Sequence, residues 1–353
     1  MIILLLFFVL SFLLIAVCDK KNYSKVFCLI VAGISAISFF YSPSESADLY
    51  RHFELIQLYR ETGIEFVIEN RMGLNPLTHL LFYVFSLSGE SRLYPVFCTL
   101  VTYGFSFLLL YRVSKFYALS RSAISLLAVF LLFNWNYLLV VSNCRIFMLY
   151  AIVAYFFYME FIENRLHKSA LIVYVASILF HYGILLVVIP RFLLYFYKPV
   201  SKKVYLWAIF FLVLLAYYSS SSNQTMFLNF LSDKVEGYMQ YDTFGKWQFL
   251  NSLIVVLLSC FFALQKRIYL VDIKRFCLLF WLIIVPIFLQ LSNFQVIYRE
   301  SNLIASLAIV LFSRILSIKN DQLMRHILGL QILFTITYSL MYVYPYMNFS
   351  FIF

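Results

Sequence analysis

Residues Leu93–Tyr111 read LYPVFCTLVTYGFSFLLLY, nineteen consecutive residues without a charge. A helix of that length rises about 28 Å, close to the ~30 Å hydrocarbon core of a bilayer, which takes about 20 apolar residues to cross. The run is continuous and does not alternate over about ten residues, so it is no transmembrane β-barrel strand. Ten further apolar runs resemble it: Ile2–Val17, Val26–Tyr41, Ala123–Val141, Arg145–Phe161, Ala170–Tyr197, Val204–Tyr218, Phe249–Leu264, Phe276–Leu291, Asn302–Phe312 and His326–Tyr344. Two runs fit no single crossing. Pro76–Leu87 is about half a span, and Ala170–Tyr197 is too long and carries His181, Gly183 and Pro190.

The whole chain carries the same signature. Of its 353 residues 64% are apolar and 12% charged, with mean hydropathy +0.90. Soluble domains average about 45–50% and about 25%, which excludes an ordinary globular protein. Disorder is excluded too, because it needs low hydrophobicity and high charge. The expected fold is all-α, a polytopic transmembrane helical bundle of about 11–13 membrane segments. It forms a single integral membrane domain over residues 1–353. Met1–Val17 lacks a basic n-region and a small-residue cleavage site, so it is expected to be a retained first helix. Cys18, Cys28, Cys98, Cys144, Cys260 and Cys277 show no disulfide or zinc spacing and read as helix-packing residues.

Lysine and arginine concentrate in cytoplasmic loops. Let the N-terminus be outside, Pro76–Leu87 a re-entrant half-helix, and Ala170–Tyr197 a hairpin bent near His181–Gly183. The inside loops then hold 18 of the 27 basic residues. Simple spans at both places would put Arg112, Lys115 and Arg121 outside, against that rule. Nine cations remain: Arg51, Arg60, Arg71, Arg92, Arg145, Arg191, Arg299, Lys234 and Lys246. Eleven of the thirteen lysines are inside, yet seven of these nine are arginine. Orientation does not depend on which cation is used. Gripping phosphate or carboxylate does, because guanidinium is a planar bidentate fork that keeps its charge when partly desolvated. The leftover arginines point to an anionic group held at the outer face; the net charge of +11 is topological and calls for no nucleic acid. The competing reading pairs them with Glu45, Asp48, Glu54, Glu61, Glu65, Glu69 and Glu90, and fits Arg60 and Arg92 better than Arg145 and Arg299.

The first outer loop spans residues 42–75. Ser44 or Ser46 is placed to cap a short helix running to about Tyr59. Three- and four-residue spacing puts Asp48, Arg51 and His52 on one face, with Leu49, Phe53 and Ile56 as an apolar stripe. That pattern fits an amphipathic interfacial helix looking into a cavity, or a plain surface helix. Gly73 and Asn75–Pro76 break the chain before the half-helix, which carries His79. In WNYLLVVSNCRIFM, Trp135–Met148, two apolar helices meet at Ser142–Asn143 and Arg145 opens the second. A formal charge beside helix-terminal N–H groups suits a phosphate. Intramembrane charge is a functional-site hypothesis by default; snorkelling to headgroups is the alternative. His181 lies mid-run in ILFHYG, residues 178–183, where packing is the competing role. Tyr298, Arg299 and Glu300 adjoin a helix start in SNFQVIYRES, residues 292–301. The second outer loop, residues 219–248, carries Asp233, Lys234, Glu236, Asp242, Lys246 and Trp247 and reads as a lid. There is no G-x-x-x-x-G-K-[ST] or G-x-G-x-x-G loop for nucleotides, and the inside carboxylates are too dispersed for a magnesium site. No metal and no cofactor is expected.

Three motifs in order now stand out: Asp48-x-Tyr50-Arg51 in the outer loop, Asn143-x-Arg145 opening a helix, and Phe180-His181 before an apolar stretch. Together with the hydrophobic frame from Asp48 to Pro190, this resembles the EpsG-like branch of the Wzy-type bacterial polysaccharide polymerases. Tyr298-Arg299 looks like a later family arginine. Two departures are Ile146, where many relatives have glutamine, and Tyr182-Gly183 after His181. The resemblance implies a GT-C-like architecture and an enzyme of the bacterial inner membrane, with its active site facing the periplasm. Such enzymes move a growing glycan from undecaprenyl diphosphate to the nonreducing end of a lipid-linked repeat unit. Implied partners are that donor and acceptor, membrane lipids and a chain-length regulator protein. Arg145 and Arg299 then become diphosphate ligands, supported by Arg51 or Arg191, with Tyr50, Asn143, Tyr298 and Glu300 beside the substrate. Asp48 is the first choice for general base or acceptor positioner, with His181 and His52 as alternates. Competing classes are a lipid-linked oligosaccharide flippase, an O-antigen ligase-like transferase and a non-catalytic scaffold.

Overall fold

The computed structural model describes residues 2–45, 47–71, 75–195, 245–264, 273–289, 294–317 and 322–340. Among them the regular structure is helical and no strand forms. The first half holds α1 (Ile2–Val17), α2 (Tyr23–Ser38), α3 (Asp48–Arg71), α4 (Pro76–Leu87), α5 (Leu93–Phe116), α6 (Arg121–Asn134), α7 (Tyr137–Ser142), α8 (Cys144–Phe161), α9 (His167–Phe180) and α10 (Leu185–Tyr195). The second holds α11 (Gly245–Leu264), α12 (Lys274–Leu289), α13 (Phe294–Ser317) and α14 (Gln322–Tyr338).

Among the described residues three segments are long and apolar enough to cross a membrane: Leu93–Phe116, Cys144–Phe161 and Glu300–Ser317. They form the centre of the molecule. α5 packs on α2 and α8, while α13 joins α8, α6 and α11. The segment Glu300–Ser317 is 89% enclosed. Six shorter apolar helices have 10–17 residues, about 15–26 Å of rise. At the periphery, α1 turns Leu6, Leu10, Leu13 and Val17 outward, a face suited to hydrocarbon chains. Inside, hydroxyls that would be costly in an apolar medium donate to the carbonyl four residues back. Ser35 to Val31, Thr102 to Cys98 and Ser259 to Val255 do so at 2.7 Å.

Several boundaries differ from the apolar runs. The run Ala123–Val141 is two helices: Ser120 caps α6, its Oγ accepting from the Ala123 N–H at 3.3 Å, and Trp135 turns extended before α7. The outer-loop helix does not stop at Tyr59 but continues to Arg71 across Gly63, whose φ of 79° splits it into two pieces. Glycine takes that angle without a Cβ penalty. Pro76 opens α4, where its missing N–H costs nothing. The run Ala170–Tyr197 turns at His181 through a short 3₁₀ segment, Tyr182–Ile184. The return arm brings Arg191 over the Tyr174 ring of α9, 5.6 Å from its centroid.

Three of the loops read as inside, residues 18–25, 112–121 and 162–168, meet at one end. Lys20 donates to the Leu119 carbonyl at 2.7 Å, and Arg121 to the Ala16 carbonyl at 2.8 Å. Arg112 pairs with Glu163 at 3.2 Å. The motif residues of the outer loop lie away from this lysine-rich end.

Candidate functional site

α3 enters the bundle through Leu49, His52, Ile56 and Tyr59, spaced by three, four and three residues and all buried. His52 therefore belongs to the apolar stripe, which corrects its placement on an open polar face with Asp48 and Arg51. Its ring packs on Phe82 of α4 at 5.0 Å and edge-on to Tyr94 of α5 at 5.6 Å. Its Nδ1 is buried without a hydrogen-bond partner. Burial above all, and then the charges of Arg145, Arg51, His181 and His79, holds the His52 pKa well below the ordinary histidine range. That set of neighbours comes from α3, α4, α8 and the turn after α9, more than a hundred residues apart in the chain. The three motif regions converge on one imidazole.

The fourth member, His79, is hydrogen-bonded through Nδ1 to the Tyr59 hydroxyl at 2.6 Å. At the α9 turn, the Gly183 N–H donates to His181 Nδ1 at 3.1 Å. A lone pair must face that donor, so neutral His181 carries its proton on Nε2. A Cβ on Gly183 would come within 2.9 Å of the same ring, so glycine lets the turn close. Two further bonds clasp this turn to the start of α4. Thr78 Oγ1 donates to the Phe180 carbonyl at 2.5 Å, and the Tyr182 N–H to Asn75 Oδ1 at 3.2 Å.

Arg145 is the second residue of α8, half-buried, and forms no ion pair among the described residues. The Asn143 amide donates sideways to Ser142 Oγ at 3.1 Å, and no side chain caps the first turn of α8. Guanidinium charge and the positive helix end thus coincide.

The remaining residues divide. Asp48 is ion-paired with Arg51, which is 64% exposed, and Tyr50 is half-buried beside them. Arg191 is a correction as a support for Arg145: it is buried at the far end of α8. It grips Glu160 with Nη2 at 2.5 Å and Nε at 3.2 Å, and Tyr174 donates to the same carboxylate at 2.9 Å. Fifteen residues of α8 separate Glu160 from Arg145, about 22 Å of helix. Glu300 is buried in α13 and accepts from the Tyr150 hydroxyl at 2.5 Å. Tyr298 and Arg299 have their backbone in α13, but their side chains lie outside the described residues. So do residues 219–244 of the second outer loop, whose last positions instead open α11.

Sequence reasoning passed over His79 and a neutral cluster. Asn134 and Asn136 of the α6–α7 break, Asn251 and Ser252 of α11, and Ser301 and Asn302 of α13 line a polar recess. Asn134, Asn136, Asn251 and Ser252 each interrupt an apolar run, and that was the available signal. Comparison of the chain with protein-family models, curated proteins and solved structures gives no match in any of the three.

Proposed function

We propose that the chain is a membrane glycosyltransferase, a polysaccharide polymerase. It transfers a growing glycan from undecaprenyl diphosphate to the nonreducing end of a lipid-linked repeat unit, at the periplasmic face of a bacterial inner membrane. The observation that carries this is the convergence of half-buried Arg145 with His52, His79 and His181. They meet away from the lysine-rich end of a chain whose described residues are helical and include three helices fit to cross a membrane.

The chemistry follows from those groups. The acceptor hydroxyl attacks the anomeric carbon of the donor, the new C–O bond forms as the bond to the diphosphate oxygen breaks, and the hydroxyl proton passes to a base. Asp48 is the first choice for that base; His52, whose affinity for a proton burial and the neighbouring cations hold down, is the weaker candidate. His181 has its basic Nδ1 lone pair engaged by the Gly183 N–H, and its Nε2–H is a donor for the departing diphosphate. Arg145 and the open first turn of α8 stabilise the charge that develops there. Asp48, fixed by Arg51, orients the acceptor, with Tyr50 and Asn143 beside it. The resemblance adds Tyr298 and Arg299, whose backbone lies in α13, as further anion ligands. Arg191, committed to Glu160, is structural. Neither metal nor cofactor enters this scheme.

The test is polymer length in cells that lack their own copy of the gene. Arg145→Ala, expressed at the wild-type level, collapses the ladder to single repeat units, a loss of about 10²–10³ in rate. Full-length ladders from both Arg145→Ala and Arg299→Ala sink the diphosphate assignment.

A further inference from the structure

We infer that Lys20, Arg121 and Arg325, gathered where α1 ends and α6 and α14 begin, hold the phosphate of an anionic bilayer phospholipid whose acyl chains lie along α1 and α14. The lysine-rich end thus carries an anion site of its own, which the transfer chemistry does not use and which stands independently of it.

One short stretch, residues 117–122, draws these cations together. Lys20 Nζ donates to the Leu119 carbonyl at 2.7 Å. Arg121 reaches back to the Ala16 carbonyl at 2.8 Å, in the last turn of α1. Arg325 Nη1 meets Ser122 Oγ at 3.4 Å. Behind them stands half-buried Arg314, its guanidinium 5.6 Å from the centroid of the Tyr117 ring and its Nε buried without a hydrogen-bond partner. The four come from separate parts of the chain, so the fold gathers them and no single basic loop does. The stretch itself reads YALSRS and contains no acid. Asp19, beside Lys20, is exposed, and neither it nor any of the four cations forms an ion pair among the described residues. Elsewhere at this end the charge is compensated: Arg112 and Arg165 share Glu163 at 3.2 and 3.9 Å. Orientation asks only that cations lie on one side of the membrane. It does not ask that they converge, and like charges held together without a counter-charge repel. An anion from outside the chain relieves that repulsion, and guanidinium groups suit phosphate oxygens.

The neighbouring apolar surface says which anion. α6 packs on both α1 and α14, and the exposed side chains of those two helices begin at the cation cluster. Val17 closes α1 and is exposed, with Leu13, Leu10 and Leu6 following it away from the cluster. Leu323 is exposed two residues before Arg325, and Leu330 and Leu333 are exposed further along α14. A phosphate between Arg121 and Arg325 therefore has hydrocarbon-compatible surface leading away from it along both helices, the pairing of basic pocket and apolar wall that suits a phospholipid. Free phosphate gains nothing from that surface. A zwitterionic headgroup brings its own cation to a site already rich in them, so the lipid is an anionic one.

Native mass spectrometry of the purified full chain in detergent reads this, with phosphatidylglycerol, phosphatidylcholine or inorganic phosphate titrated in. Wild type retains one phosphatidylglycerol about tenfold more tightly than phosphatidylcholine, and inorganic phosphate more weakly than either lipid. Arg121→Gln combined with Arg325→Gln erases most of that preference. Lys25→Gln combined with Lys168→Gln removes the same charge from exposed positions at the same end, outside the cluster, and leaves the preference intact. Melting of each variant checks that it folds. Lys20→Gln, which keeps both arginine contacts and lowers the preference about threefold, is read in place of the arginine pair if that variant does not fold. Equal retention of the two lipids by wild type overturns the site, as does a preference that survives loss of the cluster cations. An equal loss in the Lys25 and Lys168 variant would mean a diffuse attraction of the whole basic end, and also overturns it. Inorganic phosphate held as tightly as phosphatidylglycerol overturns the lipid as occupant.

Discussion

His52 is buried against Phe82 and Tyr94 beside Arg145, so protonating it would set a second cation next to a guanidinium that has no ion pair among the described residues. The folded chain keeps the ring neutral at a pH where an unfolded histidine, titrating at about 6.5, already takes a proton. Below that value the unfolded chain binds more protons. The contribution of this group to stability is therefore complete above about pH 6.5 and lost as the pH falls, by up to ~1.4 kcal/mol per unit. Melting of detergent-solubilised protein from pH 5 to pH 8 reads this directly. Wild type weakens on the acid side, and His52→Phe, an aromatic ring among aromatic rings, flattens that limb. Equal acid slopes in both would dissociate His52 from the effect. At this scale Arg145 and His181 were legible, because each is a lone polar group in an apolar run. The side of α3 that His52 faces was not. It stands three residues from Leu49 and four from both Asp48 and Ile56, so spacing alone serves either face. Arg191 misled for another reason: its partner Glu160 is 31 residues away and meets it only once α10 has turned back.

At the scale of elements, α8 is loaded at both ends, with Arg145 opening it and Glu160 near its close. The second load locks α8, α9 and α10 together through one carboxylate, which also lies 3.7 Å from His167. Glu160→Gln leaves the buried Arg191 charge uncompensated and should cost about 3–5 kcal/mol of stability, whereas adding Arg191→Met recovers much of the loss. Thermal unfolding of the three variants decides it. A double variant no better than the single one would deny the pairing its role. The bounds of α4 were readable, since Asn75–Pro76 and Ser88–Gly89 punctuate it. The break between α6 and α7 was not, because Trp135 and Asn136 sit between apolar residues that would continue either helix. The outer-loop helix, expected to end near Tyr59, instead continues past Gly63, an internal joint.

For the whole molecule, composition was enough to announce helices for a bilayer, and cation counting sorts the loops into two sides. Which helices touch could not be read, because α5–α8 and α11–α13 pairing depends on side chains far apart in the chain. The sorting makes its own prediction, with Cys18 and Cys28 changed to serine so that the other, buried thiols stay silent. A membrane-impermeant maleimide should label Arg51→Cys in intact spheroplasts, and Lys115→Cys only after lysis. The reverse pattern would invert the orientation. The clasp between α4 and the α9 turn carries a consequence in time. Its two hydrogen bonds join residues 102 and 107 positions apart, and α4, twelve residues long, is too short to cross alone. During synthesis at about 5–20 residues per second, α4 must wait roughly 5–20 s beside the nascent chain before Tyr182 emerges to hold it. The site is therefore born late, and a chain released before that point has every helix of its outer loop but nothing to close around a substrate.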